Sequence, residues 1–471
     1  MKLLTSFSRR PLAALALALL LGLMSCEKQL DIQPQQSVDA ATALDSPEKV
    51  ESAVIGAYAR LDLPQLYGTN LLLLPDLLAA DGYVNWQGTF QSYREVARRT
   101  MTSINTEADR TWNQAYQTIN LVNLVLDAAP VVTNKDLRDQ LTGEVRLIRG
   151  MLYFELVRLY AQQYQAGGAN TQPGVPLALT ANKTEAQAAV RLSRASVADV
   201  YKQILDDLNA ANALLPESNG VRLDAFDAQA MLARVYLQQG NYAQALAFAN
   251  GVIQDGTATL NPSVLSAFTN RGSREVLFEI QQNDQNNAGD SNDGLATFYS
   301  SNANGFGGRG DVQVLTAFAG QYGTTDQRGA QPGAAIGNAL IYTGDGRRSG
   351  RLRSYKWNTS GQNIPIIRLA EMYLIRAEAN VRLASSVGVT PLADINRLRT
   401  RAQATPLAAV TLADVLKERE LELAFEGFRI HDLRRTGRPT GSFAFNDPKL
   451  LLPIPQYEIN LGNALPQNPG Y

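Results

Sequence analysis

The chain has 471 residues, 43 of them basic and 44 acidic, so no charge excess draws it to a nucleic-acid backbone. One cysteine, Cys26, and one histidine, His431, exclude a disulfide framework and ordinary zinc, haem and iron–sulfur centres. The same scarcity leaves no Ser-His-Asp or Cys-His catalysis unless His431 carries it, and we expect neither metal nor cofactor.

Lys2, Arg9 and Arg10 form a positive start, and the apolar run from Leu12 to Met24 is too short to span a bilayer. Residues 1–25 therefore read as a signal peptide. Cys26 closes the run Leu23-Met24-Ser25-Cys26, which resembles the bacterial lipobox, so its thiol is predicted to carry lipid and to begin the mature chain. Without the signal, 40 basic side chains stand against 44 acidic ones. Residues 26–39, with Gln33-Pro34-Gln35-Gln36, read as a polar tether.

Ser46 is predicted to cap a helix that opens on Pro47, with Val50, Val54, Ala57, Tyr58 and Leu61 at helical spacing. Further helices are expected over 107–129, over 136–163 and from Ser196 to Pro216. Residues 225–254 give the clearest signal. Small residues Ala228, Ala230 and Ala233 lead to the break Gln239-Gly240-Asn241 and a second helix from Tyr242, a hairpin like one tetratricopeptide repeat. A second hairpin pairs 366–384 with 391–403, and a long helix is expected over 411–427. Residues 283–365 change character to Asn, Gly, Ser, Asp and Gln and read as loops with a few short strands. The prolines in Leu452-Pro453-Ile454-Pro455 make the tail an extended segment. The expected organisation is a helical region over 40–282, a loop-rich insertion over 283–365, and a helical region with an extended tail over 366–471.

Gly305, Gly307 and Gly310 satisfy G-x-G-x-x-G, but the preceding polar run offers no strand for a βαβ unit, so a mobile loop is expected there. Arg309-Gly310-Asp311 is an equally weak tripeptide. Glu418, Glu422 and Glu426 recur every four residues; two carboxyls could do glycosidase work, but pairing with Arg419, Arg429, Arg434 and Arg435 makes a charge network the expected reading. His431 beside Asp432 reads as a hydrogen-bonded structural residue. The loop aromatics are the binding candidates: Tyr83, Trp86, Phe90 and Tyr93 in one stretch, with Tyr299, Phe306 and Tyr322 in or beside the other. Such rings offer an apolar face and a polar edge suited to sugars or peptide side chains.

In addition to the lipobox, the chain carries Trp112-Asn113-Gln114-Ala115-Tyr116, Gly143-Glu144-Val145-Arg146, Arg368-Leu369-Ala370-Glu371 and Tyr373-Leu374-Ile375-Arg376-Ala377-Glu378. It continues with Glu418-Arg419, Glu422-Leu423-Ala424-Phe425-Glu426-Gly427, Asp432-Leu433-Arg434-Arg435 and Gln467-Asn468-Pro469-Gly470-Tyr471. Together, in this order, these motifs resemble the SusD/RagB outer-membrane lipoproteins of the Bacteroidetes. The resemblance implies a mainly α fold: a superhelix of tetratricopeptide-like hairpins with an irregular, loop-rich ligand face. It also implies a non-enzymatic, surface-exposed nutrient-binding lipoprotein of the outer membrane, delivering an oligosaccharide to a TonB-dependent SusC-like transporter. The alternatives are a RagB-like peptide binder and a purely structural subunit of the transporter complex. The motif residues are scaffold, so the ligand candidates remain Trp86, Tyr83, Phe90, Tyr299 and Phe306, with Cys26 as the lipid site.

Overall fold

The computed structural model describes residues 43–269, 271–461 and 465–471, and Ser46–Tyr471 form one unit. The signal peptide, Cys26 and the tether lie outside the described residues. Helices of seven or more residues are numbered. The first five are α1 (Pro47–Leu61), α2 (Asn70–Leu78), α3 (Gln91–Arg98), α4 (Thr106–Ala128) and α5 (Lys135–Tyr160). Next come α6 (Val197–Leu214), α7 (Ala225–Gln239) and α8 (Tyr242–Asp255), then α9 (Leu369–Arg382), α10 (Pro391–Arg401), α11 (Leu412–Glu422) and α12 (Arg429–Arg435).

Local chemistry starts these helices where the sequence says. Ser46 accepts from the Lys49 amide at α1, Asn134 from Leu137 at α5 and Ser196 from Asp199 at α6. Capping boxes close α7 through Asp224 and Asp227, and α11 through Thr411 and Asp414. Each such cap contributes about 1 kcal/mol. Packing then follows chain order. Helix α1 rests on α4 and α5, α5 on α6, α6 on α7, α7 on α8, α8 on α9, and α9 on α10 and α11. The helical body is thus a stack of neighbouring hairpins. Gly240 joins α7 to α8 at φ 75°, a left-handed conformation that a side chain would strain.

The strands are short and paired in twos. They are β1 (Val84–Trp86), β2 (Val276–Ile280), β3 (Val312–Val314), β4 (Ile341–Thr343), β5 (Leu352–Ser354) and β6 (Ile364–Arg368). β1 pairs with β3, β4 with β5, and β2 with β6, all antiparallel. The loop-rich stretch therefore leaves the helical body at β2 and returns at β6, which runs straight into α9 as the Leu369 amide donates to Glu275 O at 2.9 Å. The tail is extended: the Leu452 amide donates to Leu159 O at 2.8 Å, and Asn468 Nδ2 donates to Tyr160 O at 2.9 Å.

Two sequence expectations need correction. The helix expected over 411–427 ends at Glu422, because tertiary partners take over the following backbone. Lys356 Nζ donates to Glu422 O at 2.8 Å and Trp357 Nε1 to Phe425 O at 2.8 Å, while Phe425 sits at φ 65°. The glutamate network is real, but its partners come from elsewhere. Arg328 meets Glu418 and Glu422, Arg399 meets Glu418, Arg401 meets Glu275 and Glu422, and Arg368 and Lys356 meet Glu426. Burial alone would raise the Glu422 carboxyl; Arg401, Arg368 and Arg328 instead hold it well below the usual carboxylate range. Arg419 and Arg435 bind Asp432, and Arg434 donates to Arg158 O and Ala161 O.

Candidate functional site

The aromatic candidates separate into layers. Strand β1 projects Trp86 into a ring cluster with Tyr93 (4.9 Å between centroids) and Phe298 (5.3 Å), and Tyr93 and Phe298 lie 5.2 Å apart. Phe90, just before α3, lies over this cluster at 6.3 Å from Tyr93 and 6.4 Å from Phe298 and stays 42% exposed. Arg309 stands over its ring at 4.8 Å. Trp86 is buried beneath.

Tyr83 and Tyr299 lie deeper and are fully buried. Their hydroxyls donate to Asp76, Tyr83 at 3.4 Å and Tyr299 at 3.0 Å, and the Tyr83 ring stacks on Phe425 at 5.2 Å. Burial pushes the Asp76 carboxyl up to about 7 despite both hydroxyls. Phe306 is half-buried in the turn ahead of Arg309, and Tyr322 donates to Leu421 O. So Phe90 presents a ring to solvent and Phe306 part of one. In this conformation Trp86, Tyr83 and Tyr299 support the surface from below.

Beside Phe90 opens a cleft of about 770 Å³, walled by α3, the start of α4 and the turn at Asn292 and Asp293. Ile104 adds an apolar edge, and Gln91, Ser92, Glu95, Thr102, Asn105, Glu107 and Arg110 add polar ones. Their positions are set by a hydrogen-bond web. Asn105 caps α4 by accepting from the Glu107 and Ala108 amides, and donates to Glu95 at 2.8 Å. Ser92 donates to Glu107 at 3.0 Å, and Asn70 Nδ2 donates to Glu107 at 3.0 Å. Arg110 reaches Asp293 at 2.6 Å, while the Tyr93 hydroxyl donates to Asn70 at 2.8 Å and to Asp293 at 3.2 Å. Burial first, then Glu107 and Asp293, push the Tyr93 phenol far up, so it remains a donor. The cleft offers a ring face flanked by fixed donors and acceptors, which is equipment for recognition.

Sequence reasoning did not find the polar wall. Its residues come from three separated segments, and only Asn105, as an N-cap, carries a local signal. The G-x-G-x-x-G run lies in a loop between the short helix Leu295–Tyr299 and β3, and Arg309 and Asp311 of the tripeptide bond each other. His431 is buried, but neither ring nitrogen has a hydrogen-bond partner among the described residues, which corrects the hydrogen-bonded expectation. Burial, then Arg158, Arg434 and Arg234, hold it neutral, far below the ordinary histidine value. Asp432 turns instead to Arg419 and Arg435.

Two family models match: one described as starch-binding, associating with the outer membrane, over residues 28–237, and one described as the SusD family over residues 340–443. The chain belongs to the SusD/RagB family. "SusD-like protein P2" of Formosa agariphila is 25% identical over 97% of this chain and 98% of its own. Over a shorter stretch, 23% of this chain and 22% of its own, the starch-binding protein SusD of Bacteroides thetaiotaomicron is 37% identical. Solved structures share the fold. A SusD superfamily protein from Bacteroides vulgatus has a TM-score of 0.78 at 23% identity, covering 90% of this chain and 99% of its own. A laminarin-binding SusD-like protein has a TM-score of 0.72 at 22% identity, covering 90% and 100%. The helical stack with an irregular face is thus the SusD fold, and no helix among the described residues is long and apolar enough to cross a membrane.

Proposed function

We propose that this SusD-family chain is a non-enzymatic glycan-binding lipoprotein, held at the outer membrane by lipid on Cys26. It captures an oligosaccharide in the cleft beside Phe90 and hands it to a TonB-dependent SusC-like transporter. The observation that carries the reading is the cleft itself: an exposed ring beside pre-positioned hydroxyl, amide, carboxylate and guanidinium groups. Sugars present both an apolar C–H face and a fringe of hydroxyls, and need such a surface. The laminarin-binding and starch-binding relatives support the same class of ligand. Tyr93 and Phe298 brace Phe90 in this scheme, with Trp86 packed behind them, and Tyr83 and Tyr299 fix the floor through Asp76. An open surface of this kind favours modest affinity, which suits hand-off.

Calorimetry of the lipid-free body against panels of oligosaccharides and short peptides tests the proposal. Heat from at least one oligosaccharide supports it. Binding of peptides alone redirects the reading to peptide capture, and silence from both panels favours a structural subunit.

A further inference from the structure

A second pocket lies away from the cleft and shares no lining residue with it. It holds about 330 Å³ between the outer face of α1 and strand β2. Tyr58 and Phe278 form its aromatic wall, with ring centroids 6.3 Å apart, and Ile55 and Val221 stand at its rim, 54% and 66% exposed. Exposed branched side chains around an aromatic hollow are unusual on a surface that only meets water.

The same pocket contains two carboxylates that the fold leaves without a counter-charge. Asp62 is only 8% exposed, and its carboxylate accepts from Gln282 Nε2 alone, at 2.6 Å. Glu279, 7% exposed, accepts from Asn363 Nδ2, Gln281 Nε2 and the Gly272 amide, all neutral donors. Among the described residues neither has a cation within 4.0 Å. Arg222 also lines the pocket; its Nε and Nη1 are taken by Glu144 at 2.8 Å and Glu51 at 3.1 Å, its Nη2 is buried without a partner among the described residues, and it forms no ion pair with Asp62 or Glu279. The buried glutamates around α11 are, by contrast, matched by arginines, and buried Asp76 leans on two tyrosine hydroxyls and lines no such pocket. A buried carboxylate with no counter-ion is costly, and a cation entering the pocket relieves that cost.

We propose that this pocket binds a small organic cation, a protonated amine carried on an aromatic or branched aliphatic body. The apolar body lies against Tyr58 and Phe278, where a cation also gains from the rings, and the ammonium reaches Asp62. The volume falls at the small end of ligand sites, fitting one ring with a short chain rather than a polymer. This site is independent of glycan capture.

Three isosteres provide the test: 2-phenylethylamine, 2-phenylethanol and phenylacetate, titrated into the wild-type protein at pH 7.5 by calorimetry. The amine should bind at least tenfold more tightly than the alcohol, and the acid not at all. Asp62→Asn should erase the preference, whereas Phe90→Ala should leave it intact. Burial lifts the Asp62 carboxyl to about 6, so the preference should also fade in the wild type at pH 5; Tyr58, Glu279 and Arg222 are the other ionisable groups lining the pocket. Equal binding of amine and alcohol, tighter binding of the acid, or no binding of the amine at millimolar concentration overturns the proposal. The comparison of isosteres in the unmutated protein stands even if Asp62→Asn folds poorly.

Discussion

Under the proposed function, Phe90 is the residue on which ligand capture turns. Its ring is half open to solvent, so trimming it removes a stacking face while leaving the core alone. Phe90→Ala should weaken oligosaccharide binding roughly fivefold or more, the equivalent of about 1 kcal/mol for a lost ring contact, with stability changed by less than about 0.5 kcal/mol. Calorimetry paired with a thermal melt checks both halves. Asp76 makes a prediction in pH. Its folded value is about 7 against about 3.9 in the unfolded chain, so the folded state holds a proton that the unfolded state has already lost between those limits. Its contribution is therefore full below about pH 4 and declines as pH rises through 7. In Asp76→Asn that decline disappears, so denaturant midpoints should shift in the variant's favour as pH rises from 4 to 8. Of the aromatic candidates, composition and spacing single out the stretch that holds Phe90, but they cannot separate its depth from that of Trp86 or Tyr83. All three are rings in a Gly-containing loop, and depth is decided by Phe298, Phe425 and Asp76, which lie far away in sequence.

At the level of elements, the turn after α11 joins the two halves of the chain. Gly427 sits at φ 79°, and a Cβ there would stand 2.9 Å from Leu72 Cα on α2. Gly427→Ala should cost about 2 kcal/mol or more, from both the left-handed backbone and the lost clearance, and a denaturant melt reads it directly. Glu422 in α11 faces Arg328, Arg368 and Arg401, all buried. Glu422→Gln leaves those guanidiniums undercompensated and should destabilise by about 3–5 kcal/mol, seen as a large fall in melting temperature. Helix starts were legible because caps and apolar periodicity are local, as at Ser46 and Ser196. The end of α11 was not, because Lys356 and Trp357 capture its carbonyls from the loop-rich stretch. For the same reason the α11 glutamates were expected to pair with nearby arginines, while their partners stand as far off as Arg328.

Over the whole molecule, a stack of helical hairpins fixes one irregular face. Strands β2 and β6 clamp the loop-rich stretch to the stack, and β1 with β3 carries the aromatic cluster to the edge of the cleft. The motifs made this architecture readable, since they are scaffold residues whose burial the fold requires. Glu378 and Arg435, for example, meet at 2.7 Å in the interior. The candidate site was less readable because the few residues of its cleft converge from α3, α4 and the Asn292 turn. Anchoring belongs to this scale as well. Cys26→Ser should abolish incorporation of radioactive palmitate and release the protein from the outer-membrane fraction. Labelling that survives the substitution contradicts the proposed anchor.

The central claim, that sugar is held in the cleft beside Phe90, is tested most directly by amide hydrogen exchange with and without a bound oligosaccharide. Protection is predicted over residues 87–95, 102–110 and 292–293, with the outer faces of α6 and α8 unchanged. Protection confined to any other surface would contradict it.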